Sequence, residues 1–250
     1  MNRRKSLIAP LALVALFFAA SLPTAPGAAP AASPGSAPAA SGAPSLDEIL
    51  SRFDRAQTGI RTMTANFTET KDLKLLREPV VSKGKFYYTR PNDILWEYTD
   101  PTAKVFLIRK DELLAYYPQQ RRAERVDISR FQSRLLKVFG IGQLSEDLKK
   151  YYDLALAPKQ PAPGLYDLIL TPRRRMVKKR IAQVRFWIDA KSFLPVRMEY
   201  FEQDGDRTIL SFDETHVNAA IDEATYRIEL PPGVDIQTTF TGIGSGKGAS

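Results

Sequence analysis

Cysteine is absent from the 250 residues, and histidine occurs once, at His216. The first absence rules out a disulfide scaffold and a thiolate nucleophile, and it leaves no thiol to carry a lipid anchor. The second leaves no zinc-type cluster, because such sites need several imidazoles or thiolates together. Absent too are the phosphate-cradling G-x-x-x-x-G-K-[ST] loop, a dinucleotide-binding glycine pattern and the G-x-S-x-G nucleophile turn. Gly140-Ile141-Gly142 is isolated and reads as a helix end. The paired carboxylates Glu97/Asp100 and Asp204/Asp206 fall at strand ends and turns, where solvated turn residues outweigh a glycosidase pair. Little in this chain points to an enzyme or a cofactor, and no metal site is expected.

Long hydrophobic runs are also scarce. The one that stands out, Leu7 to Ala20, has 14 residues and follows Arg3, Arg4 and Lys5. It falls short of the ~20 residues that span a bilayer, and its layout is that of a secretory signal, assigned to residues 1–25. Residues 21–44 hold six prolines, nine alanines and no charge. Such a stretch has nothing to bury, so 26–44 reads as a disordered linker. A flexible glycine- and serine-rich tail is expected over 241–250. Between them, 45–240 is long enough for one domain with a sizeable core. The formal charge of +8 becomes +5 without the three N-terminal cations. That excess is mild; export argues against nucleic acid as a partner, and the charge leaves an anionic membrane surface or an acidic protein.

Ser45-x-x-Glu48 fits a capping box, and Leu46, Ile49, Leu50, Phe53 and Ile60 repeat at helical spacing behind it. A second helical stripe runs through Phe131, Leu135, Leu136 and Phe139, with another turn or two over 144–150. The rest alternates like strands. Met63, Ala65 and Phe67 interleave with Thr64, Asn66 and Thr68, and further strands are predicted near 82–89, 93–99, 103–109, 112–117, 121–127, 151–157, 164–171, 181–189, 194–203 and 206–217. Short connections imply an antiparallel meander. The predicted fold is mainly β with an α lid: a strongly curved sheet of about eleven strands, left unclosed as a half-barrel and covered by two or three helices.

The most informative stretch is 84–101, GKFYYTRPNDILWEYTDP. Aromatic and β-branched residues favour a pleated, half-buried surface, and Pro91-Asn92-Asp93 favours a reversal. Large rings thus stand on neighbouring strands with Arg90 at their end. This pattern resembles the signature of the LolA family, periplasmic carriers of outer-membrane lipoproteins. Val217-Asn218, Ile221-Asp222, Tyr226-Arg227-Ile228 and Pro231-Pro232-Gly233-Val234-Asp235-Ile236 resemble that family's closing segment, so the likeness runs from about Leu46 to Ile236.

The resemblance implies a soluble periplasmic monomer with an incomplete barrel and a helical lid over an apolar hollow. It implies lipoprotein acyl chains as cargo, an ATP-driven (ABC-type) inner-membrane exporter that loads it and an outer-membrane acceptor lipoprotein that receives the cargo. Arg90 matches the family's functional arginine, which implies a hydrogen-bonded latch between strand and lid. Cavity-facing candidates are Phe86, Tyr88, Trp96, Phe106, Ile108, Tyr117 and Phe186 on strands, with Ile49, Phe53, Leu135 and Phe139 on helices. Arg173, Arg174, Arg175, Lys178, Lys179 and Arg180 form a dense basic hairpin tip. It reads first as a solvated turn and second as a docking patch for anionic headgroups or an acidic transporter face. Two alternatives stay open: a sensor or regulatory binding module on the same half-barrel, and a carrier of another lipid. An esterase is more distant.

Overall fold

The computed structural model describes residues 44–130 and 144–239. Helix α1, Leu46–Gly59, starts where expected: the Ser45 hydroxyl accepts from the Glu48 N–H at 3.3 Å, filling one of the free donors of the first turn. Its inward stripe buries Ile49, Leu50, Phe53 and Gln57. Two short helices follow, α2 (Ser145–Lys149) and α3 (Arg175–Lys178). The predicted helix near 129–139 lies mostly outside the described residues, and Leu135 and Phe139 with it.

Twelve strands form one sheet. The first six are β1 (Thr62–Asp72), β2 (Val80–Thr89), β3 (Asp93–Asp100), β4 (Lys104–Arg109), β5 (Glu112–Tyr117) and β6 (Arg122–Asp127). The next five are β7 (Tyr152–Leu156), β8 (Leu165–Pro172), β9 (Ile181–Asp189), β10 (Pro195–Glu202) and β11 (Arg207–Val217). Each set is a meander of antiparallel neighbours. The two are joined by β1 pairing with β11, so the first strand lies near the middle of the sheet. The spatial order ends at β7 on one side and β12 on the other, and the barrel does not close.

The expected count of eleven is one short. The twelfth strand, β12 (Asp235–Gln237), runs parallel to β6. Three residues are too few for period-2 alternation to show, so nothing in the sequence marks them.

The sheet buries apolar side chains on both faces, not one. On the concave side Phe67, Phe86, Trp96, Phe106, Leu168 and Phe186 belong to one continuous cluster with Leu50 and Phe53 of α1. On the convex side Leu95, Leu107, Leu114 and Ala123 form a second cluster under Tyr226, Ile221, Ile228, Leu230 and Val234. The C-terminal segment therefore lies as a strap across the back of β3–β6. That double cover explains the runs of consecutive buried residues in β3, β4 and β5, which alternation alone does not predict. The strap is tied by Arg109, whose Nε lies 3.3 Å from Asp93 Oδ2 and whose Nη2 meets Glu223 Oε1, and by Thr89 and Tyr226 hydroxyls 2.8 Å apart.

Candidate functional site

Cross-strand register builds the concave face. One row runs Ala65, Phe86, Trp96, Phe106, Ala115, and the next runs Met63, Tyr88, Ile94, Ile108, Leu113. On the other half Leu168, Phe186, Met198 and Leu210 are successive partners. Ring packing fills the space between rows. Phe86 and Trp96 have centroids 4.6 Å apart, Phe67 and Trp96 4.9 Å, and Phe67 and Tyr98 4.8 Å, at steep interplanar angles that suit aromatic quadrupoles. Gly84, which opens the aromatic signature, sits where a Cβ would lie 2.1 Å from Glu97 O and 2.7 Å from the Phe67 ring. Glycine is required there by close approach, not by a turn.

All seven strand candidates, Phe86, Tyr88, Trp96, Phe106, Ile108, Tyr117 and Phe186, share the concave cluster with Phe53. Ile49 is buried on the same stripe of α1 as Phe53. Arg90 stands at the end of β2, outside the aromatic rows. Its Nη2 donates to Gln57 O and Thr58 O, each at 3.2 Å. These carbonyls end α1, where a cation also meets the negative pole of the helix. A second tie joins the helices: Asp54 of α1 accepts from Ser145 N at 2.6 Å and from Ser145 Oγ at 2.7 Å, at the start of α2.

The basic tip divides in two. Arg173 pairs with Asp153 at 3.1 Å and donates to Lys149 O, and Arg174 lies 4.8 Å over the Tyr151 ring. Arg175, Lys178, Lys179 and Arg180 stand exposed around α3, whose Val177 is buried. His216 is exposed on β11, and among the described residues no His/Cys/Asp/Glu group could hold a metal. No described helix is long and apolar enough to cross a membrane.

One feature of the concave face escaped sequence reasoning. Beyond Phe67 the inward positions of β1 are Glu69 and Lys71, and in the neighbouring rows Tyr98 is paired with Lys104. Glu69 is 5 % exposed and lies 3.6 Å from Lys71. Burial, then the charge and hydrogen bond of Glu69, push the Tyr98 hydroxyl well up. Burial pulls the Lys104 ammonium down to about 8, against a smaller upward pull from Glu69. Burial lowers Lys71 as well, and it raises Tyr200 and, to about 12, Tyr152. The alternation of β1 already put Glu69 and Lys71 on the face of Phe67. Only the register of β4 against β3 brings Lys104 to them.

The concave face thus has an apolar part under α1 and a charged, tyrosine-lined end. It offers burial and polar anchoring. Relatives in sequence carry a common description. Outer-membrane lipoprotein carrier proteins of Chromobacterium violaceum and Hahella chejuensis are 25% and 26% identical to the chain, over 78% and 71% of it and 89% and 82% of their own lengths. The solved structure of an uncharacterized conserved protein from Thermus thermophilus has the same fold, with TM-score 0.51 at 13% identity, covering 77% of this chain and 98% of its own. The family model described as outer membrane lipoprotein carrier protein LolA matches residues 58–229, which is most of the sheet and its strap, and the chain belongs to that family.

Proposed function

We propose that the protein is a periplasmic carrier that takes up the acyl chains of lipoproteins beneath α1 and moves them from the inner to the outer membrane. The observation that carries this reading is the way α1 is held. Its apolar stripe lies in the aromatic concave cluster, while Arg90 and Asn218 hold the carbonyls that end it and Asp54 holds Ser145 at the start of α2, so these polar ties sit on its last two turns, away from the aromatic rows. Cargo would exchange one burial for another. Each buried CH₂ gains about 0.8 kcal/mol, so several long chains in a preformed hollow would exceed the practical limit of about 18–21 kcal/mol for non-covalent binding. Displacing the side chains of α1 subtracts from that gain and keeps the cargo releasable. Arg90 serves as the latch of the closed state. Binding and release of this kind require no catalysis and no cofactor.

The same reading gives 1–25 the role of a secretory signal, 26–44 that of a spacer, 45–240 that of the carrier domain and 241–250 that of a tail. Loading falls to an inner-membrane ABC-type exporter and delivery to an outer-membrane acceptor, with the exposed cations around α3 available for docking. The test is native mass spectrometry of the protein purified from its own periplasm. A triacylated lipoprotein in stoichiometric complex is the expected result. A stable complex with a transmembrane regulator and no lipid would instead assign the half-barrel to sensing.

A further inference from the structure

Lys104 is the anomaly of the concave face. It is half-buried, two residues from Phe106 on the inward side of β4, with its Nζ 4.0 Å over the Tyr98 ring. Among the described residues it makes no ion pair and no hydrogen bond; the nearby carboxylate of Glu69 lies against Lys71 and is felt by Lys104 only at longer range. The cost of desolvating an ammonium is normally offset by a partner. Here a ring face offsets part of it. The depressed affinity of this lysine for its proton is what an uncompensated cation shows.

Position adds to the case. From Lys104 the inward side of β4 continues through Phe106 to Ile108, four residues or about 13 Å at strand rise, a length on the order of ten methylenes. A cation at one end and aromatic rows along the rest match an amphiphile with a negative head.

We infer that Lys104 seats the anionic head, a carboxylate or a phosphate, of a lipid whose chain runs from there across the Trp96–Phe106 row towards the Ile94–Ile108 row. The inference rests on the acyl-binding reading above and adds a ligand class to it. A chain buried without a charged head would gain from the rows alone. A charged head would gain also from the ammonium, without a competing carboxylate in contact with it. Hydrogen bonds to charged groups are the stronger kind, so a preference of about tenfold or more is expected.

The test uses the full chain and three probes of equal length: dodecanoate, dodecyl phosphate and dodecanol, titrated at pH 7 by tryptophan emission. Tighter binding of either anion than of dodecanol by about tenfold is expected, and whichever anion is preferred names the head, carboxylate or phosphate. Lys104→Met should abolish the preference while leaving dodecanol affinity within about twofold, and Lys104→Arg should restore it. Equal affinity of the wild-type chain for all three probes overturns the inference and leaves the acyl pocket standing. A preference that survives in Lys104→Met also overturns it, since the selectivity then has another source. Failure of every probe to bind removes the acyl-binding reading itself, and this inference with it.

Discussion

Truncation of Phe53 separates a lid from ordinary core. The side chain is 1 % exposed and packs from α1 into the concave cluster. Removing it as Phe53→Ala forfeits about 1.5–3 kcal/mol of burial, and up to about 3–5 kcal/mol when the surrounding structure cannot relax into the void. Where that loss lands depends on what α1 does. If α1 is permanent core, the whole domain loses stability and ligand affinity gains nothing. If α1 competes with acyl chains for the same face, the loss falls on the empty, closed state. A chain that displaces α1 then gives up less, and its binding tightens by as much as the lost burial, roughly 10- to 100-fold at 1.4 kcal/mol per decade. Dodecanol titration gives the affinity, and hydrogen exchange of residues 46–59 gives the opening of the helix. Tighter binding together with faster exchange in α1 is expected. A drop in Tm with unchanged or weaker binding would refute the displacement argument.

Arg90→Leu removes two hydrogen bonds at 3.2 Å from an exposed guanidinium; solvent screening holds the expected loss to roughly 1 kcal/mol, read as about fivefold faster amide exchange in α1, and unchanged exchange would remove the latch. Gly84→Ala forces a methyl against a backbone oxygen at 2.1 Å, so urea unfolding should show at least ~2–3 kcal/mol of destabilisation; a neutral variant would mean that β2 and β3 can separate there freely. The half-buried Lys104 gives a pH signature. Its folded-state value is about 8 against 10.5 for the free side chain, so between those values the unfolded chain holds more protons and stability rises with pH. The gain reaches up to about 2 kcal/mol by pH 9.5. Glu69 opposes part of it and Lys71 adds to it, while Tyr98, Tyr152 and Tyr200, all raised by burial, reverse the trend above pH ~10. Thermal melts at pH 7 and 9.5 should show the rise in the wild type and a smaller one in Lys104→Met; identical pH responses would contradict the assignment.

What the sequence exposed was whatever is written in local period. The capping box of α1, the eleven longer strands and the inward side of β2 through β5 follow from alternation, because neighbouring positions report on the same face. The place of Arg90 at the end of an aromatic strand was legible because proline follows it and aromatic residues precede it, whereas a latch role came only as what the family resemblance implies. Three things were not. The leucines Leu95, Leu107 and Leu114 look like the other half of a fully buried strand only once the strap of Ile221 to Val234 is known to cross them, a contact more than 100 residues away in sequence. β12 is too short to carry a period. The setting of Lys104 depends on how β3 meets β4, since a slip of one residue would turn it outward.

The pairing of β1 with β11 orders events during synthesis. Met63 and Val217 are partners, so the strand that lies at the heart of the sheet is made early and waits for a neighbour that is made late. Until then the N-terminal meander has a bare hydrogen-bonding edge, and the greasy back that Tyr226 and its neighbours later shield is open to water. Neither the edge of β1 nor the leucines on the back of β3–β5 can be covered before residues 207–234 have been made.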